Sequence, residues 1–131
     1  MASGLAATTL ANKWLDMLGG SAFSAPATTF VQLHTGEPGA AGTSNVSSVT
    51  TRPAITWSAA SAGSKAITTT LPSWSNWAGT NGEVVTNISV WDASSAGNFL
   101  FSVLLTLAKT INTGDTATLS SMSMTFTPIA A

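Results

Sequence analysis

The sequence predicts an all-β fold, a β-sandwich of jelly-roll or Ig-like type with about 7–8 strands and one N-terminal amphipathic helix. Three observations lead there. Apolar residues recur at helical spacing only near the N-terminus, and from Thr28 onward the period drops to two. Clusters of Gly, Pro, Asn and Asp punctuate the remainder at short intervals. Thr and Ser together supply about 30% of the chain, and Thr, β-branched with a polar tip, suits a half-solvated strand face. A chain of 131 residues fits one compact domain, with residues 1–27 as helix and connector and 28–131 as the sandwich. It can bury a sufficient core without metal or disulfide.

The elements follow in order. Leu10, Trp14 and Leu18 recur every four residues, with Leu15 and Met17 beside them, which predicts the helix. Thr8 or Thr9 stands where a cap is expected, Lys13 and Asp16 lie on the polar side, and Gly19-Gly20 stops the helix. Thr28 to His34 reads as a strand with Thr29, Val31 and Leu33 on one face. Glu37-Pro38-Gly39 opens a long loop of small residues running to Val49. Thr51 to Ser58 is a second strand, with Ile55 and Trp57 on one face, and Ala66 to Leu71 a third, ended by Pro72. Trp74 and Trp77 lie in a polar stretch with turn signals at Gly79 and Asn81-Gly82. Val84 to Asp92 is a strand with Val84, Ile88 and Val90 on one face, and Val85 and Trp91 on the other. After a turn at Ser94 to Asn98, Phe99, Phe101, Val103 and Leu105 share a face of the next strand. Asn112 to Asp115 reads as a hairpin turn, and the last strand, Leu119 to Thr127, places Met122, Met124 and Phe126 inward.

Composition narrows function. Charged residues make up 7% of the chain, against about 25% in an ordinary domain. Four cations face five acids without forming a basic stripe, so nucleic acid is not an expected partner. Low charge with 44% hydrophobic residues has two explanations: a Ser/Thr surface that needs little charge, or a surface covered by neighbours. Five Trp and five Phe favour neighbours. The absence of Cys excludes disulfides and thiolate metal sites. No secretory leader is evident, and the longest apolar stretch, Phe99 to Leu107, falls far short of the ~20 residues that span a bilayer, so no membrane partner is expected.

No residue pattern carries catalysis. The single His34 closes a strand, and no Gly-x-Ser-x-Gly elbow surrounds any Ser. Asp115 and Asp92 stand where turns use Asp for local hydrogen bonds, and nothing pairs two carboxylates. No ligand spacing for a metal or cradle for a cofactor occurs, so neither is expected. Trp74 and Trp77 are open to three readings: stacking on sugar rings, anchoring a protein interface, or plugging an open end of the sandwich.

The order of features resembles a family of small tailed-phage virion proteins, labelled tail-fibre-like, minor tail or minor capsid proteins and common among phages of actinobacteria. The resemblance starts at the helix ending in Gly19-Gly20 and runs through Val31-Gln32-Leu33-His34-Thr35-Gly36-Glu37-Pro38-Gly39. It continues with Arg52-Pro53-Ala54-Ile55-Thr56-Trp57, Val90-Trp91-Asp92-Ala93, Gly97-Asn98-Phe99-Leu100 and Thr110 to Asp115. It spans about Ala11 to Phe126, and departs where Ile88-Ser89 stands in place of a frequent Gly. It implies a non-enzymatic structural role in the virion, assembled in the bacterial host cytoplasm, and a jelly-roll-like sandwich.

The expectation is therefore a capsid decoration or minor capsid protein, docking in many copies on the major capsid protein so that weak contacts add up. The alternative is a minor tail or fibre-associated subunit among tail proteins, and a third reading is a carbohydrate-binding module using Trp74 and Trp77. A homo-oligomer is expected, a trimer in particular. The residues expected at protein interfaces are Leu10, Trp14, Leu18, Glu37, Pro38, Trp74 and Trp77.

Overall fold

The computed structural model describes residues 3–68 and 70–127. Its helical segment begins with a π-wound turn, Ala7–Ala11, continues as α1, Asn12–Asp16, and closes in a 3₁₀ turn, Met17–Gly19. Eight strands follow: β1 Thr29–His34, β2 Ala54–Ile55, β3 Ser64–Ala66, β4 Ser73–Trp74, β5 Glu83–Trp91, β6 Phe99–Ile111, β7 Ala117–Thr118 and β8 Ser123–Thr125. The main sheet has the antiparallel order β2-β1-β5-β6, and two short sheets, β3-β8 and β4-β7, make up the rest. One core lies between them, with Val31, Leu33, Ile88 and Val90 from the main sheet meeting Trp74, Ala117 and Met122. This is the all-β sandwich that the period of two predicts.

Gly20, at φ 87°, stops the helical segment as expected. Neither Thr8 nor Thr9 caps its start; Ala6 is the cap residue, and the Thr9 hydroxyl donates to the Phe99 carbonyl. The entry is fixed by strand-like bonds instead. Ala6 N–H donates to the Leu100 carbonyl at 2.7 Å, and Ser102 N–H to the Gly4 carbonyl at 2.8 Å. Residues 4–6 thereby cover the first half of the outer edge of β6.

Several predicted faces are corrected by two irregularities. Val85 pairs with Lys109 and Asn87 with Leu104, so β5 spends only Thr86 where β6 spends Leu105 to Ala108. That slip reverses the alternation: Val85 enters the core, and Val84 faces out at 44% exposure. A second shift at Val90/Trp91 skips Leu100, so Phe99 leaves the Phe101 face and packs with Trp91 and Ala6. Strand Thr51 to Ser58 shrinks to Ala54–Ile55 plus a bridge from Trp57 to Ile67. The strand expected from Ala66 to Leu71 ends as a regular element at Ala66, and Thr69 lies outside the described residues. The final strand, expected from Leu119 to Thr127, shrinks to β8, Ser123–Thr125, with β7 lying just before it and Phe126, expected inward, 57% exposed. Asn112 to Asp115 is a turn but not a hairpin, because β7 pairs with β4. Its Asp115 carboxylate accepts the Asn112 N–H at 2.9 Å, the local bond that such a turn calls for.

Candidate interaction surfaces

Alternate residues of β1 and β5 point away from the core, yet they are buried as well. Gln32, His34, Asn87 and Ser89, with Ser102 of β6, form a polar platform beneath the loop after β1 and the N-terminal segment. Each platform group has a partner, as burial demands. His34 Nδ1 donates to the Ser44 carbonyl at 2.8 Å, which fixes the tautomer. Its Nε2 therefore accepts the Ser89 hydroxyl at 2.7 Å, while Ser89 Oγ accepts Trp91 Nε1–H at 2.7 Å. Burial, which disfavours the charged ring, holds the His34 pKa below its ordinary value, and nearby Arg52 adds to this. Ser89 and His34 have the spacing of a nucleophile and base, but both are fully buried, and a neutral carbonyl stands where a triad has a carboxylate.

Arg52 ties this platform together. Its Nε donates to Gln32 at 3.0 Å, one terminal nitrogen donates to the Ala96 carbonyl at 2.8 Å, and the guanidinium lies 3.9 Å above the Trp91 ring. Arg52 was legible only as part of a motif; its stacking partner is distant in sequence.

The long loop is pinned from both ends. Thr35 N–H donates to the Asn45 carbonyl and Ser47 N–H to the Leu33 carbonyl. The Ser47 hydroxyl and Ser48 N–H both donate to the Glu83 carboxylate. Partial burial pushes the Glu83 carboxyl up, but these hydrogen bonds outweigh it and hold its pKa below the usual range. Gly42 sits at φ 72° against the Phe99 ring, where a Cβ would come within 2.6 Å. Between this loop and residues 3–9 lies an open cleft of about 700 Å³, with Phe99 and Trp91 beneath it and Thr43, Asn98 and Glu37 at its rim.

A second concavity is apolar. About 310 Å³ in volume, it is lined by Trp14, Trp57, Leu100, Phe101, Met124 and Phe126, with Lys65 at its edge. Trp14 meets Phe126 edge-on at 5.3 Å, and the Trp57 ring is tied down by its Nε1–H bond to Thr29 at 2.8 Å. Further apolar surface stands clear of the core at Leu15, Met17 and Leu18, and at Leu104 and Leu107.

The expected interface residues divide accordingly. Leu18 is 85% exposed, Glu37 is exposed and Trp14 half-buried. Leu10 belongs to the core and Pro38 is fully buried, so neither presents a side chain to a partner. Trp74 and Trp77 require the same correction. Trp77 is 1% exposed and bonds the Thr80 carbonyl, while Trp74 bonds the Thr51 carbonyl from within the core. Neither ring offers a face to a sugar or a protein; of the three readings, packing is what the geometry supports. Among the described residues, no cluster of three side chains suited to a metal forms, and no helix is long and apolar enough to cross a membrane.

The sequence matches a family described as podophage GP4 fiber I protein gp80 over residues 5–127, nearly the whole chain. No curated protein matches it.

Proposed function

The chain belongs to the podophage GP4 fiber I protein gp80 family, and from that premise we propose that it is a fibre-associated structural subunit of a phage tail. It works as a homo-oligomer, a trimer in particular, and docks on other virion proteins. The observation that carries this reading is the match to a phage fibre family along 5–127. It favours the tail over the head shell, so the expected capsid decoration role gives way to its alternative. The surface supports a structural role: Leu15, Leu18, Leu104 and Leu107 lie open on a chain with very few charges, and interface cores are depleted of charge.

The test is localisation on purified virions. Gold-labelled antibody against the chain should mark the tail end of the particle, at several copies. Labelling spread over the head shell would restore the decoration reading. Unlabelled particles, with the chain left in the lysate, would sink the virion role altogether.

A further inference from the structure

We propose that the apolar groove beside the helix receives the exposed Leu15–Leu18 turn of a second copy of the same chain. The inference rests on the oligomeric reading above and names the surface that makes it.

The groove sets the chemistry of its occupant. Its walls are almost wholly hydrocarbon, from Trp14, Trp57, Leu100, Phe101, Met124 and Phe126, so a polar ligand would lose its water without gaining bonds. At about 310 Å³ it is the size of a small ligand pocket, room for a few aliphatic side chains. The chain itself carries such a ridge. Leu15 and Leu18 are 64% and 85% exposed, with Met17 between them at 53%.

Charge specifies the pairing. Most ionic side chains of this sparsely charged protein are engaged within it. Arg52 holds Gln32 and stacks on Trp91, Glu83 holds Ser47 and Ser48, Asp92 holds Asn98 with Lys13 nearby, and Asp115 holds Asn112. Asp16 lies in the same helical turn, on the polar flank of the Leu15–Leu18 ridge, and Lys65 stands at the edge of the groove. Both are exposed, and among the described residues neither side chain has an ion-pair or hydrogen-bond partner. A ridge seated in a neighbour's groove brings this carboxylate to that ammonium as the leucines are buried.

Ridge and groove are different surfaces; a two-fold axis would pair them reciprocally in a dimer, and a head-to-tail arrangement repeats the contact from copy to copy. Contacts of the second kind generate rings when the rotation closes, three copies being one such closure. Leu18 follows Trp14 by one helical turn, so the ridge starts where the groove wall ends, and each copy can give one and receive the other around an axis.

Sedimentation velocity over a concentration series tests this with four variants of the full chain. Leu18→Glu should abolish self-association. Asp16→Lys and Lys65→Glu should each weaken it about tenfold, because attraction becomes repulsion at a desolvating contact. The double variant, Asp16→Lys with Lys65→Glu, should recover most of the wild-type association. All three positions are exposed, and circular dichroism confirms that each variant folds. Wild-type association in the single variants, or no recovery in the double, would overturn the groove as the interface while leaving an oligomeric tail subunit standing. A wild-type chain that stays monomeric at every concentration would overturn this inference together with the oligomeric part of that reading, without touching localisation on the virion.

Discussion

At the residue scale, the platform is governed by one proton. His34 is fully buried and neutral, donating its Nδ1–H to the Ser44 carbonyl and accepting a hydrogen bond from the Ser89 hydroxyl at Nε2. A proton added at Nε2 would meet that Ser89 hydroxyl, whose oxygen already accepts from Trp91. The folded-state pKa thus lies below the unfolded value of about 6.5. The sign follows: above that value neither state binds the proton, while below it the unfolded chain does and the native chain resists. Stability is therefore complete above about pH 6.5 and is lost as pH falls toward the folded pKa, ahead of the Glu83 and Asp92 carboxyls, whose pKa values are held low. Urea midpoints taken between pH 8 and pH 5 should be flat to about 7 and then fall. His34→Gln should lower stability by about 1–3 kcal/mol, through partners left unpaired, and remove that slope. A slope unchanged in the variant would assign the titration elsewhere. None of this network was legible in the sequence, where His34 is only a strand-end residue and Ser89 stands 55 positions away. For Trp74 and Trp77 the sequence left contact and packing both open, for a related reason. Their neighbours are polar turn residues, so local pattern reads exposure, whereas burial comes from the β4-β7 layer closing over the main sheet.

At the scale of elements, legibility tracked how local the determinant is. The helix stop at Gly20 and the tight turn at Gly97, both at positive φ, need only their own backbone and were found. The Gly97 turn is closed by Asp92, whose carboxylate accepts Asn98 N–H at 2.6 Å. Strand faces failed where pairing slips, because a bulge has no signature in a period of two and yet reverses every side chain beyond it. β6 shows what such a slip does. Its first half is covered by residues 4–6, while beyond Ser102 its outer edge carries no strand partner among the described residues. There the extra residues Leu105 to Ala108 distort the ladder, a known protection against edge-to-edge pairing. Leu107, at 83% exposure, sits on that distorted stretch. Leu107→Lys should change unfolding free energy by less than about 0.5 kcal/mol and reduce aggregation on heating, since a charge on an open edge opposes strand addition. Light scattering during a thermal ramp, beside a denaturant titration, checks both. Loss of specific oligomer in this variant would instead place β6 in the interface.

At the scale of the molecule, the sandwich class was legible because it needs only periodicity and turn spacing, and the sheet order was not, because β1-β5 pairing joins residues far apart in the chain. The same non-local contacts bear on the division into 1–27 and 28–131. Leu10 sits in the main core, Leu5 bridges to Phe101, and Ala6 bonds the Leu100 carbonyl. Removing the N-terminal segment would strip an edge from β6 and uncover Leu100 and Phe101, both buried in the intact chain. The helix and the sandwich should therefore unfold as one cooperative unit. Calorimetry below the association range, where binding does not shift the midpoint, should give one transition whose calorimetric and van't Hoff enthalpies agree. A separate low-temperature transition confined to the helix would show that its packing on the sheet contributes little. In that event the exposed Leu15–Leu18 turn would be a mobile arm ordered by its neighbour, not a preformed ridge, and deleting the arm would leave a sandwich that still folds but no longer assembles.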